Sequence, residues 1–142
     1  MERFNIRVYG ILTREVNQQK EVLLSDEFRY QQHFTKFPGG GLELGEGIED
    51  ALIREFQEEL GITIRLEQLF YVNPFLQVSA FQKSDQLISI YYLVSYSGPD
   101  SMIINQHQEE SFRWVPIQAL NKTTCTFPID QTVAELLREK YR

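Results

Sequence analysis

The 142-residue chain predicts an α/β (α+β) fold in which a mixed β-sheet is packed between helices. Three observations predict it. Short segments of alternating apolar residues recur along the chain, one central segment switches to helical periodicity, and a second amphipathic helix ends the chain. A composition 42% hydrophobic and 13% aromatic supplies a core of ordinary size. One domain over residues 1–142 is expected, without repeat, low-complexity stretch or linker.

The elements follow in order. "FNIRVYGIL" (4–12) alternates through Phe4, Ile6 and Val8 as a strand, and "KEVLLSD" (20–26) reads as a second after the polar turn "REVNQQ", which suggests a hairpin. In "FPGGGLELGEG" (37–47), Pro38 and the run Gly39, Gly40, Gly41 are expected to forbid regular structure. A helix runs from about Ile48 to Leu60 with Ile48, Leu52, Ile53, Phe56 and Leu60 on its core face. Gly47 serves as N-cap, Glu49 and Asp50 suit the first turn, and Gly61 ends it. "ITIRL" (62–66) alternates as a strand, "QLFYVNPFLQVSAF" (68–81) as one or two strands broken near Asn73-Pro74, and "QLISIYYLVSY" (86–96) as the clearest strand. "SGPD" turns the chain, "FRWVPI" (112–117) is a strand, and "DQTVAELLREKY" (130–141) is a helix capped by Asp130 with Val133, Leu136, Leu137 and Tyr141 inward.

Composition excludes several functions. The single Cys125 forbids an internal disulfide, and with only His33 and His107 there is no Cys/His set for zinc, so any metal needs oxygen ligands. Cys125 reads as a small packing residue. No run of about 18 apolar residues exists and the start lacks a secretory layout, so a soluble, cytoplasmic protein without membrane contact is expected. Between Gly40 and Ile62 seven acids (Glu43, Glu46, Glu49, Asp50, Glu55, Glu58, Glu59) face one base, Arg54, and this segment carries the whole net charge of −6. Long nucleic acid, bound through Lys and Arg, is a poor partner for such a surface, and a divalent cation is a good one.

The stretch "REFQEELG" (54–61) concentrates the problem. In a helix Glu55 and Glu59 lie within about 40° of each other and Glu58 about 60° beyond Glu55, so one arc carries three carboxylates. Like charges at this spacing repel by roughly 0.2–0.5 kcal/mol. Arg54 offers Glu58 a local counter-charge, and the Glu55/Glu59 pair is expected to have none. Ala51, one turn before Glu55, is expected to leave room for something to approach. A solvated acidic face is the plain alternative.

From Gly40 the chain reads Gly, five residues, Glu46, seven residues, then Arg54, Glu55, Phe56, one residue, Glu58, Glu59, one residue, Gly61, Ile62. This resembles the signature of the Nudix hydrolases (MutT-like) at every defined position, and the preceding "FPGG" looks like that family too. The resemblance implies a Nudix-type α/β/α sandwich. It implies an Mg2+-dependent enzyme, Mn2+ being an alternative, that hydrolyses the pyrophosphate bond of a small nucleoside diphosphate derivative by attack of a metal-activated water. Substrates in view are nucleoside triphosphates, ADP-ribose, nucleotide sugars and dinucleoside polyphosphates.

By the resemblance Glu55 and Glu59 ligate the primary metal, Glu58 shares a second ion or positions water, and the Gly40 carbonyl adds a ligand. Glutamates on adjacent turns can share a hard cation such as magnesium, which binds oxygen at about 2.0–2.1 Å. Arg54 and Glu46 are expected to clamp the glycine loop against the helix through a guanidinium fork, with a weak surface ion pair as the alternative. Lys36, Gly39 and Gly40 are candidates for phosphate, Lys36 reading equally as an exposed strand-end lysine. His33, Phe34, Phe70, Phe75 and Phe81 could stack on a base or simply fill the core. Glu109 and Glu110 lie where some family members supply a further ligand or the general base, with Glu110 favoured and a solvated loop pair as the alternative. Expected partners are a small nucleotide and, as an open option, a second copy in a homodimer. The alternative function is a Nudix-fold nucleotide-binding regulatory domain without catalysis, which would tolerate loss of the acids that are all present here.

Overall fold

The computed structural model describes residues 1–107 and 109–142. Among the described residues seven strands and two α-helices follow one another as β1 (Arg3–Val16), β2 (Gln19–Arg29), β3 (Gln32–Lys36), β4 (Gly39–Gly41), α1 (Ile48–Leu60), β5 (Arg65–Val72), β6 (Asp85–Ser95), β7 (Glu110–Pro116) and α2 (Pro128–Lys140). The long β1 is the axis. Most of its length pairs in parallel with β6, from Arg3 opposite Asp85 to Leu12 opposite Val94, while Arg7–Tyr9 pair antiparallel with β4 on the other edge. Its last four residues form a hairpin with β2, which in turn carries β3 and β7. The main path runs β3-β2-β1-β6-β5.

Because successive strand residues face opposite sides, β1 feeds two cores. Val8 and Leu12 pack with Leu52 and Phe56 of α1, whereas Ile11 packs with Val133 and Leu137 of α2. The mixed sheet therefore lies between the helices as the sequence predicts. Cys125 is buried among the α2-side residues, the packing role expected of it. Among the described residues no helix is long and apolar enough to cross a membrane.

Both hairpins of β2 use two-residue turns with left-handed backbone, Asn17-Gln18 (φ 51° and 64°) and Tyr30-Gln31 (φ 52° and 61°). Such turns match the right-handed twist of the flanking strands. The second hairpin and β3 are absent from the sequence reading, since Tyr-Gln is a poor turn signal and "QHFTK" offers Phe34 as its one buried residue.

Three further expectations are corrected, and one is met. The glycine run does not forbid regular structure, because Gly39–Gly41 form β4 against β1, where missing side chains allow close approach. Ile62 and Ile64 are buried but precede the strand, which begins at Arg65. The break expected near Asn73-Pro74 is observed: β5 ends at Val72, and among the described residues one isolated bridge, Val78 to Gln86, follows. The Asn73 side chain takes the place of a strand neighbour, accepting from the Ser89 N–H at 2.8 Å and donating to the Leu87 carbonyl at 3.3 Å. Asp130 is not the cap of α2, whose N-cap is Phe127 followed by Pro128. It is the third residue of the helix, within the first turn, buried, and accepts a 2.5 Å hydrogen bond from the Tyr91 hydroxyl.

Burial pushes the Asp130 carboxyl up to about 6, with the Tyr91 hydrogen bond and Lys36 opposing. A carboxyl raised on folding binds more protons in the native state, so it contributes stability below its unfolded value that is lost as pH rises to about 6. A change of this size corresponds to at most about 3 kcal/mol. Asp130→Asn keeps an acceptor for Tyr91 and removes the titration. The melting temperature of this variant, measured relative to the wild type, should climb between pH 4 and 6 and level off above. A flat difference across that window would contradict the assignment.

Candidate functional site

The site begins where α1 meets β4. A Cβ built on Gly40 would lie 2.4 Å from the carboxyl carbon of Glu55, so the glycine lets the carboxylate rest directly on the strand backbone. The Arg54 guanidinium locks the arrangement. It forms a two-bond fork to Glu46 (Nη2–Oε1 2.7 Å, Nε–Oε2 3.0 Å), donates to the Gly41 carbonyl at 3.1 Å, and reaches Glu55 at 3.0 Å and Glu58 at 3.2 Å. Glu46 in turn accepts from the Glu43 N–H at 2.9 Å. This hydrogen bonding with Arg54 holds the Glu46 carboxyl below the usual range. Glu55 therefore has a local partner after all, in the residue next to it. The helix direction lets one long side chain curl back across its own neighbour, a contact that residue spacing does not disclose.

Glu59 is different. Among the described residues it has no basic group within 4.0 Å, and its carboxyl is pushed up to about 8. Burial is the main cause, followed by the charge of Glu110, with Glu55 and Glu27 adding and Lys36 opposing. Ala51, expected to leave room beside this arc, is fully buried in the core under α1, so the protein itself occupies that space.

The opposite wall comes from β2, β3 and β7. Glu27 stands directly across from Glu110, a like-charged pairing that costs stability unless something intervenes. Lys36 intervenes: its Nζ lies 3.7 Å from both carboxylates. Burial pulls the ammonium down, but Glu110 and Glu27 outweigh it and the Lys36 pKa is raised on balance. Lys36 is only 12% exposed in its side chain, so it is not an exposed strand-end lysine. Glu110 also accepts a 2.5 Å hydrogen bond from the Ser25 hydroxyl.

The loop before β7 is fastened to the end of α1, where orphan carbonyls need donors. The Ile104 N–H donates to the Leu60 carbonyl at 2.9 Å, and the His107 ring Nε2 meets the Glu59 carbonyl. The outcome is a cavity of about 460 Å³ with Glu27, Arg29, Glu58, Glu59, Glu109 and Glu110 in its lining. Glu110 is thus held toward Glu59, while the neighbouring Glu109 is exposed.

Of the aromatic candidates, Phe34 is buried and stacks on Phe127, with Phe81 against its edge. Phe70 packs on the α2-side core. His33 leans on Phe28, and Phe75 is about half exposed. The sequence reading missed Glu27, Ser25 and His107. A signal existed for two of them: Ser25 and Glu27 continue the core-facing register of Leu23, where polar residues need partners.

The donor chemistry fits a hard divalent cation, since the groups that converge are carboxylate oxygens and one of them lacks a counter-charge. Among the described residues no group of three His, Cys, Asp or Glu side chains is arranged to hold an ion as it stands. The geometry explains why: Arg54 holds Glu55 and Glu58, while Ser25 and Lys36 hold Glu110.

Comparison with known proteins gives a consistent result. A family model described as NUDIX domain matches residues 4–136. The human protein named nucleoside diphosphate-linked moiety X motif 6 is 35% identical over 130 residues, which is 87% of this chain and 38% of that protein. The NAD-capped RNA hydrolase NudC of Vibrio parahaemolyticus is 26% identical over 137 residues, covering 94% of this chain and 50% of that one. The chain thus spans half or less of the length of these relatives. The crystal structure of a MutT protein from Methanosarcina mazei Go1 superposes with a TM-score of 0.71 over 99% of this chain and 97% of that one, at 20% identity.

Two glycine substitutions should separate packing from chemistry. In Gly40→Ala the new methyl meets only the flexible end of Glu55, so the fold should survive with a melting temperature within a few degrees while Glu55 is displaced and any activity falls at least tenfold. In Gly39→Ala the methyl would lie 2.0 Å from the Val8 carbonyl oxygen, a backbone atom that cannot step aside. That variant should melt much lower. Equal melting temperatures would show that β4 is not pinned to β1 as described.

Proposed function

The chain belongs to the Nudix family, and on that premise we propose that it is a divalent-metal-dependent pyrophosphohydrolase whose substrate is a nucleoside diphosphate linked to a second group. One observation carries the proposal: a half-buried Glu59 carboxyl, with no basic group within 4.0 Å among the described residues, shares one cavity wall with Glu58, opposite Glu27 and Glu110. An acidic surface of this kind repels a bare diphosphate and receives one that arrives with its cation. The names of the human and Vibrio relatives, which refer to a nucleoside diphosphate-linked moiety and to NAD-capped RNA, point to the same bond type.

Glu55 and Glu59 are the residues we assign to the ion, with the Gly40 carbonyl beside them and Glu58 at the solvent edge. When bound, a magnesium or manganese ion would offset phosphate charge and acidify a water. The rest of the chemistry falls to the protein. Arg54 and Glu46 hold β4 and α1 in register, so the carboxylates keep their spacing. Ser25 and Lys36 orient Glu110 toward the cavity, and a carboxylate so oriented can take a proton from an attacking water within about 2.6–3.2 Å. Glu109 also lines the cavity but is exposed, and among the described residues its carboxylate has no hydrogen-bond or ion-pair partner.

Screening nucleoside triphosphates, dinucleoside polyphosphates, ADP-ribose, NAD and nucleotide sugars with magnesium tests the reading. Turnover of at least one of them is expected. Binding without turnover would favour a regulatory domain.

Glu59→Gln and Glu55→Gln should each lower turnover at least a hundredfold. Without metal, Glu59→Gln should melt no lower than wild type, since it removes a half-buried carboxyl with no basic group close by among the described residues, whereas Glu55→Gln gives up the contact with Arg54 and should melt slightly lower. Magnesium should raise the melting temperature of the wild type more than that of either variant, because an ion that binds only the folded state stabilises it by mass action. Equal shifts in all three would place the ion elsewhere.

Glu110→Gln should cost at least tenfold in turnover and Glu109→Gln almost nothing. Full activity of both across the pH range would remove this loop from the chemistry.

A further inference from the structure

Six arginines sit on strands, and five of them are neutralised. Arg3, Arg14, Arg29, Arg65 and Arg113 each have a carboxylate oxygen within 4.0 Å. Arg7, in the middle of β1, has none among the described residues. Its Nε donates to the Tyr9 hydroxyl at 3.3 Å, and its two Nη groups have no protein acceptor among the described residues. Neither Nη is sealed from water, since the one fully buried polar side-chain atom without a partner among the described residues is Nε of Arg138. A half-buried guanidinium with both Nη groups open is an incomplete arrangement, because its five donors suit a bidentate anion.

Its position says which anion. Arg7 is paired with Gly41 in the β1–β4 register, and a Cβ on Gly41 would lie 3.5 Å from Nη1. One residue earlier, a Cβ on Gly40 would point the opposite way, into Glu55. Successive strand residues face opposite sides, so β4 is a thin wall with the α1 carboxylates on one side and the Arg7 guanidinium on the other. A glycine-only strand makes that wall as thin as a polypeptide permits.

The guanidinium is held from behind. Tyr9 stacks on Tyr91 with ring centroids 4.9 Å apart and planes 24° from parallel. Tyr91 is fixed by its hydrogen bond to Asp130 on α2. A chain of contacts from α2 through Tyr91 and Tyr9 therefore aims Arg7 at the edge of β4.

We propose that Arg7 is a phosphate-binding residue of this site, its two Nη groups taking non-bridging oxygens of the diphosphate on the side of β4 away from the metal-binding carboxylates. The proposal rests on the pyrophosphohydrolase reading for its substrate. With an ion held by Glu55 and Glu59, a diphosphate at the open edge of β4 would meet cationic charge from that ion and from Arg7. Charge-assisted, two-pronged bonds of this kind are among the stronger ones a protein makes to phosphate. Tyr9 is a positioning residue that keeps the fork in its plane.

The test uses the full chain with magnesium and inorganic pyrophosphate as probe, followed by calorimetry. Arg7→Gln should weaken pyrophosphate binding at least tenfold, and Arg7→Lys should recover part of the loss by restoring charge without the fork. Tyr9→Phe should weaken it severalfold. With whichever nucleotide the wild type hydrolyses, Arg7→Gln should raise KM at least tenfold and change kcat less than threefold, while Tyr9→Phe raises KM and leaves kcat unchanged. The magnesium-induced rise in melting temperature should be the same in all of them, which separates loss of the phosphate contact from damage to the metal face. Should Arg7→Gln fail to fold, Arg7→Lys carries the comparison alone.

Wild-type binding of pyrophosphate that survives unchanged in both Arg7 variants overturns the proposal, and so does a wild type that does not bind pyrophosphate at all. Turnover of a nucleotide by the wild type alongside either result leaves the hydrolase reading standing. Binding that depends on Arg7 in a wild type that hydrolyses nothing supports the arginine and removes the hydrolase.

Discussion

Everything at this site depends on how closely helix α1 can approach strand β4. The approach is limited by side-chain volume, and at Gly40 that volume is zero, so the Glu55 carboxylate touches backbone. Arg54 converts this proximity into a fixed geometry by joining Glu46, the Gly41 carbonyl, Glu55 and Glu58 through one planar group. A lysine could supply the charge at this point but not four directed contacts from a rigid fork. The role of the arginine is thus orientation, and the net attraction of its partly exposed ion pairs is secondary.

With that frame in place, the electrostatics divide into a satisfied part and an unsatisfied one. Glu46, Glu55 and Glu58 share Arg54, while Glu27 and Glu110 share Lys36. Glu59 is left over, burial and its acidic neighbours holding its carboxyl well above the ordinary range. A protein selected only for stability would relieve this by substitution, since a carboxyl held away from water without a basic partner is costly in either protonation state. A perturbed carboxyl among other acids in a cavity is the kind of environment that suits the cation-binding role proposed for Glu59.

The two faces of the sheet contribute differently. The face toward α1 carries the carboxylates and Lys36, and the face toward α2 carries the Tyr9–Tyr91–Asp130 contacts that end in Arg7. They meet at β4 because the glycine strand is short, at the edge of the sheet, and lacks side chains to separate them. The loop preceding β7 closes the arrangement by using the open end of α1 as its anchor, which satisfies helix carbonyls and brings Glu110 to the cavity with the same contacts.

The α1 boundaries, its Gly47 and Gly61 ends, the α/β/α layering and the acidic arc were legible in the sequence, because helix periodicity, glycine ends and charge spacing are local properties that a linear reading preserves. The identity of the carboxylates as a group was legible for the same reason. Their individual environments were not: whether Glu55 is paired and Glu59 is not depends on how the Arg54 side chain folds back and on what β2, β3 and β7 bring from distant positions. Strand β3, the pairing of the glycine run, the buried Asp130 and the isolation of Arg7 were decided by tertiary structure alone. The last three depend on a cross-strand or face-to-face neighbour far away in the chain, and residue spacing carries no information about which distant group will stand within hydrogen-bonding distance, whereas β3 is local and was hidden by a Tyr30-Gln31 turn whose residue types do not signal one.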